Sequence, residues 1–198
     1  MGRKPLSQEQ RETTRQKLFE TSNRMIAEGG IDNLNIRSLC KEVGISYSSF
    51  YDYYKNKDEL IASKSNAMDQ FFVDNEAERL HNEDFYLDLK NFILLYSEFV
   101  SSRNIEIIRE VYRMQMYSIL KRSPKEERPI RSILKRIIQE GIDRKQLPEN
   151  INIEDMERMI LSFCKGIAID WCACDGGYSI EDFTNSAVNT LDLLRNKK

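Results

Sequence analysis

Ile36-Arg37-Ser38-Leu39-Cys40-Lys41-Glu42-Val43-Gly44-Ile45-Ser46-Tyr47-Ser48-Ser49-Phe50-Tyr51-Asp52-Tyr53-Tyr54-Lys55-Asn56-Lys57 is the stretch that decides how this chain reads. Asn35 precedes it and is a good N-cap, because its side chain accepts from the orphan N–H groups of a first helical turn. Ile36, Leu39 and Val43 fall on one helical face at spacings of three and four. Gly44 stands where that helix must end in left-handed backbone, which glycine adopts without steric cost. Ile45 is the apolar plug of the turn, and Ser46 caps a second short helix. Phe50 and Tyr54 repeat at i and i+4 and are expected inward. A helix, a tight turn and a second helix make a helix-turn-helix, whose second helix enters the DNA major groove.

The other face of the second helix carries Tyr47, Ser48, Tyr51, Asp52 and Lys55, with Ser49 and Tyr53 at its margins. Hydroxyls, an acid and a base suit phosphate and base-edge contacts. The residues expected to hold DNA are Arg37, Ser46, Tyr47, Ser48, Ser49, Tyr51, Asp52, Tyr53 and Lys57. Tyr51, Tyr53 and Lys57 are expected mainly on phosphates, and Tyr47, Ser48 and Asp52 nearer the bases. The same pattern also serves a plain helical hairpin in an all-α protein.

The run from Leu18 to Leu60 resembles the N-terminal domain of the TetR family of transcriptional regulators. The resemblance rests on Ile36-Arg37, Gly44-Ile45-Ser46, Ser49-Phe50-Tyr51, Tyr53-Tyr54 and Lys57-Asp58-Glu59-Leu60, with Ile26-Ala27-Glu28-Gly29-Gly30 upstream. It is ordered and ungapped over about the first third of the chain. Val43 and Cys40 stand where the family usually has alanines, Tyr47-Ser48 replaces a smaller pair, and Asp52 adds an acid to the reading face. The operator sequence therefore does not carry over. The resemblance implies a DNA-binding head joined by a helix to a larger helical part that binds a small inducer and forms a dimer.

The chain has 198 residues and a net charge of −2, so bulk charge does not mark it as a polyanion binder. The distribution is uneven. Residues 1–17 hold five basic and two acidic groups, a net of +3, and the remainder carries −5. A basic N-terminal arm adds phosphate contacts in other helix-turn-helix proteins; an ordinary solvated tail is the alternative. No apolar region follows Met1, so no secretory signal is expected. Leu6 stands where myristoylation needs Ser or Thr, and no apolar run is long enough to span a bilayer. A cytoplasmic protein without membrane attachment is expected, its four cysteines free thiols rather than a disulfide framework.

The whole chain reads as helix, an all-α fold. Residues 1–56 are expected to form the helix-turn-helix domain with its basic arm, and 57–198 a helical ligand-binding and dimerisation domain. Ser7 with Gln10 predicts a capping box opening a first helix that ends near Gly29, with Leu18, Ser22, Met25 and Ile26 inward. Asn56 with Glu59 predicts another, opening one long helix through Phe72. A stripe over Ile105, Ile108, Val111, Tyr112, Met116, Ile119 and Leu120 predicts a helix bent or broken near 109–112, with a loop at 123–128 after it. Ser179 with Asp182 predicts the cap of the last helix.

Aromatic and methionine side chains suit an apolar pocket, and Phe71, Phe92, Tyr96, Tyr112, Met116 and Phe163 are the ligand candidates; such stripes also make ordinary core. An apolar or aromatic inducer is expected. The last two helices resemble the family's dimer interface, with Cys164, Ile167, Trp171, Val188 and Leu191 the candidates. Cys172 and Cys174 point to different helical faces, and the single histidine is far away in sequence, so no metal site is expected; no cofactor is expected either. One histidine, no Ser-His-acid set and no glycine-rich phosphate loop argue against an enzyme. The expected function is a homodimeric repressor released from a palindromic, double-stranded DNA operator by a small-molecule inducer. The alternatives are a dimeric interaction protein that keeps the motif without specific DNA binding, or an activator.

Overall fold

The structure, a computed structural model, describes residues 7–63, 66–116 and 128–195, with the backbone alone for 191–195. Among the described residues every regular element is a helix: α1 (Gln8–Asn33), α2 (Ile36–Val43), α3 (Tyr47–Phe50), α4 (Lys57–Ala62), α5 (Asn66–Arg79), α6 (Phe85–Ser101), α7 (Ile105–Met116), α8 (Pro129–Asp143), α9 (Ile153–Ala173) and α10 (Ile180–Arg195). None is long and apolar enough to cross a membrane.

Side-chain capping starts most of these helices. Ser7 and Gln10 form the reciprocal capping box of α1, at 3.0 and 3.2 Å. Gly29 and Gly30 interrupt α1, Gly30 at φ +70°, and one more turn carries the chain to Asn33. Asn35 accepts from the N–H groups of Arg37 and Ser38, and Ser179 accepts from that of Asp182 at 3.1 Å. Asn56 accepts from the Glu59 N–H at 2.7 Å. The Glu59 carboxylate, however, accepts from the N–H of Lys55 rather than that of Asn56, so the reciprocal half of the expected box is moved one residue.

Two expectations need correcting. The single long helix through Phe72 is two described helices, with Ser63 as the C-cap of α4. The helix over the Ile105 stripe runs unbroken to Met116, because Ile107, Ile108, Tyr112 and Met114 are all buried on a regular spiral. Tyr117, Ile119, Leu120 and the expected loop at Pro124 lie outside the described residues.

Apolar side chains gather into two cores. The first joins Leu18 and Ile26 of α1, Leu39 of α2, Phe50, Tyr54, and Leu60 and Ile61 of α4 to Ile107 and Met114 of α7. It therefore runs past residue 56 and draws in a helix from the larger part. The second core joins Phe72, Phe92, Val100, Ile108, Tyr112, Leu134, Ile138 and Leu161, from α5 to α9. Consecutive residues of α7, Ile107 and Ile108, thus belong to different cores, because neighbours on a helix point about 100° apart.

Charged groups tie the larger core together. Arg131 grips the fully buried Glu157 through two bonds of 2.7 Å. Arg128 donates to the buried Asp69 at 2.8 Å. Arg109 reaches from α7 to the Cys172 carbonyl at 2.6 Å, closing the end of α9. Asp88, buried within the α6 stripe, accepts from Asn82 Nδ2 at 2.7 Å and from its backbone N–H.

Candidate functional site

The reading head is built around Gly44. Its φ is +79° and ψ 29°, and the N–H groups of Gly44 and Ile45 both donate to the Cys40 carbonyl, at 3.0 and 2.9 Å. This left-handed stop lets α3 turn away from α2. Ser46 then caps α3 by accepting from the Ser49 N–H at 3.1 Å. After one helical turn the chain continues in tight turns, with the N–H groups of Tyr53 and Tyr54 both donating to the Phe50 carbonyl at 3.0 Å. Phe50 and Tyr54 are buried as expected, at 0% and 2% exposure, and fix which face of α3 points out.

That outward face is a hydroxyl lattice. The Ser46 hydroxyl meets those of Ser48 and Ser49 at 2.9 and 2.7 Å. The Tyr47 and Tyr51 hydroxyls meet at 2.7 Å with their rings edge to face. Both rings are close to half exposed, at 45% and 48%, and the Tyr47 contact holds the Tyr51 phenol above its ordinary pKa. Arg37 lies over the Tyr47 ring, 5.5 Å from its centroid. Asp52 is exposed and Tyr53 is packed against the core at the margin. Lys57 is turned the other way. Its Nζ donates to the Ile31 carbonyl at 2.8 Å, so it braces the end of α1 against α4. Arg24 of α1 pairs with Glu42 of α2 and with Glu28, which steadies the crossing of the first two helices.

A partly open cavity lies where this head meets the larger part. Tyr96 and Tyr112 line it, their hydroxyls 2.8 Å apart. Burial, and then Tyr96, push the Tyr112 phenol well above its ordinary value. Met68, Phe99, Ile108 and Leu161 add apolar wall, and Arg103, Arg128, Arg131 and Lys165 add positive charge. Sequence reasoning missed Phe19 and Asn23 of α1, which also line it. The readable signal was Phe19 itself, an aromatic next to Leu18 and hence off the inward stripe of its helix.

Four ligand candidates fall elsewhere. Phe92 is fully buried core against Phe72, with ring centroids 4.7 Å apart. Phe71 lines an adjoining open groove between α1 and α5. Met116 is 69% exposed at the end of α7, and Phe163 points outward from α9. The interface candidates are also redistributed. Cys164, Ile167 and Val188 are buried in the chain's own core. Trp171 packs against that core and its indole N–H donates to the Tyr178 carbonyl at 3.0 Å. The side chain of Leu191 lies outside the described residues. Among the described residues, the large apolar groups exposed on this helix pair are Met159, Phe163 and Ile169 of α9 and Phe183 of α10. The inward residues of α9 lie three or four positions apart, and the outward stripe sits between them, so a fluctuating run of apolar residues leaves both faces open to assignment. Cys40, Cys164, Cys172 and Cys174 are free thiols, and only Cys174 is exposed. Among the described residues no His, Cys, Asp or Glu cluster is set to hold a metal ion.

Residues 18–63 match the family model for bacterial regulatory proteins of the tetR family. The fatty acid metabolism regulator protein of Bacillus subtilis is 20% identical over 177 residues, covering 88% of this chain and 91% of that protein. The uncharacterized HTH-type transcriptional regulator YvdT of the same organism is 22% identical over 154 residues, covering 77% and 79%. The crystal structure of the transcriptional regulator FadR from Bacillus subtilis in complex with stearoyl-CoA superposes with a TM-score of 0.70 at 21% identity, over 89% of this chain and 96% of that one. A TetR transcription regulator from Haloarcula marismortui superposes at 0.67 and 20% identity, over 92% and 98%. Residues 18–63 are a helix-turn-helix domain of the TetR family of transcriptional regulators, and the chain as a whole shares the fold of such regulators.

Proposed function

We propose that the protein is a homodimeric repressor that holds a palindromic operator through its two reading heads and releases it when a small molecule fills the cavity. Phe19 and Asn23 belong to α1 of the head, yet they line the cavity beside Tyr96, Tyr112 and Leu161 of the larger part. That shared wall is the observation that carries the reading. An occupant touches the head directly, so it favours whichever head position best accommodates it. The division into a head and a regulatory part is functional rather than a clean cut in the core. α7 serves both, through Ile107 and Met114 on one side and Ile108 and Tyr112 on the other.

Arg37, Ser46, Tyr47, Ser48, Ser49, Tyr51, Asp52 and Tyr53 form the DNA surface in this reading. Lys57 supports it by fixing α4 to α1 through the Ile31 carbonyl. The outward apolar stripe of α9, together with Phe183, makes the subunit contact, because a single head reads too few base pairs to be specific. The protein works in the cytoplasm, where it meets DNA.

The test is fluorescence anisotropy of the full chain on labelled DNA from upstream of its own gene, with salt and unlabelled competitor. Saturation at two protomers per duplex, with competition by that DNA alone, is the expected result. Binding without preference over random DNA, there and in a genome-wide selection of bound fragments, would favour the interaction-protein reading.

A further inference from the structure

The cavity is apolar inside but its charge is one-sided. Arg103, Arg128, Arg131 and Lys165 line it, and among the described residues no Asp or Glu does. Two of these cations are matched from behind: Arg128 by Asp69 and Arg131, bidentately, by Glu157. Arg103 differs. It is exposed just after α6, its guanidinium lies over the Phe99 ring at 4.8 Å, and it makes no ion pair among the described residues. It also marks the mouth. Phe19, Ala67 and Arg103 line both the cavity and the groove between α1 and α5. The groove itself is mixed in charge, with Glu12 and Asp74 beside Arg15.

We propose that the cavity takes an anionic amphiphile, with its apolar chain inside and its anionic end at the mouth against Arg103, beside α1. The proposal rests on the reading of this cavity as the effector site and names its ligand class. The apolar walls remove the chain from water. A guanidinium on an aromatic ring at a cavity mouth is a ready donor to a carboxylate or phosphate, and its charge-assisted bonds are directional. A cationic ligand would meet Arg103 at the mouth as repulsion. The anionic end lies next to Phe19, so the charged part of the ligand acts on the head itself.

Two sources share this chemistry, a free fatty carboxylate and an acyl thioester of a phosphorylated carrier. Calorimetric titration of the full chain separates them, using dodecanoate, dodecanoyl-coenzyme A, dodecanol and dodecyltrimethylammonium, each below its micelle concentration. At least one anion is expected to bind about tenfold tighter than dodecanol, the size of one charge-assisted bond at a solvent-facing site, with the ammonium weakest. The tighter anion identifies the source. Arg103→Gln should remove that advantage and leave dodecanol unchanged, and Arg103→Lys should restore part of it. Arg103 is exposed, so an unchanged dodecanol affinity also reports an intact cavity. The inference is overturned if the ammonium or the alcohol binds as tightly as both anions, if R103Q leaves anion affinity unchanged, or if no amphiphile binds. Operator release by an uncharged aromatic compound would overturn the ligand class while leaving the effector site standing.

Discussion

Replacing Gly44 by alanine tests the turn on which the reading head depends. Gly44 has φ +79°, and a Cβ built there meets nothing within 4 Å. The cost is therefore conformational, with no clash to add. An L-residue in left-handed backbone costs roughly 1–2 kcal/mol. Alanine also restricts the unfolded chain, which returns roughly 0.4–1 kcal/mol. The net expected loss is about 1 kcal/mol, or about 2–4 °C in Tm for a chain of this length. Urea unfolding followed by circular dichroism measures it from the midpoint at unchanged slope. Gly44→Asn should lose less, since Asn tolerates this conformation. Because α2 and α3 keep their own caps, both variants should bind DNA normally well below the unfolding midpoint. A loss above about 3 kcal/mol would point to a steric contact that the structure does not have. A gain in stability would mean that position 44 is not left-handed, and the helix-turn-helix geometry would have to be redrawn.

Burial pushes the Cys164 thiol from 9.0 to about 12. The unfolded chain loses this proton near pH 9 and the folded chain keeps it, so stability should fall as pH rises from 9 towards 12. Cys164→Ala should flatten that slope by about 1 kcal/mol per pH unit, measured by urea unfolding at several alkaline pH values; an unaltered slope would refute it. Thr184 is fully buried and its hydroxyl has no hydrogen-bond partner among the described residues. Thr184→Val keeps the shape and should stabilise the protein by about 1 kcal/mol, whereas a loss in calorimetry would show that the hydroxyl is satisfied. Phe163→Asp with Ile169→Asp puts two charges on the outward face of α9, where both side chains are at least a third exposed. The double variant should keep its helicity and sediment as a monomer, with operator affinity down at least tenfold; a persistent dimer would place the contact elsewhere.

Local signals were readable where the cause was local. Asn35, Ser46, Asn56 and Ser179 all accept the cap bonds that their residue types invite. Gly44 takes the left-handed backbone at which α2 stops before α3 begins, and Phe50 and Tyr54 turn inward together. The cavity was less legible. Tyr96 and Tyr112 line it, but Phe92, on the same stripe as Tyr96, is sealed in core. Residues on one stripe share a direction without sharing a neighbour. Arg103 and Phe19 escaped because one stands outside any periodic pattern and the other lies off its helix's inward face.

The sequence by itself determined that the chain is helical, where most helices start, and which residues make the helix-turn-helix. Those features follow from hydrogen-bond caps, backbone sterics and periodicity within a few residues. Only the tertiary structure decided that Lys57 braces α1, that Cys164, Ile167 and Val188 are core while Met159, Phe163 and Ile169 face out, and that α7 divides its neighbours between two cores. Each of these depends on which helix lies opposite. That is settled by packing between segments far apart in the chain, where no single stretch of sequence carries the information.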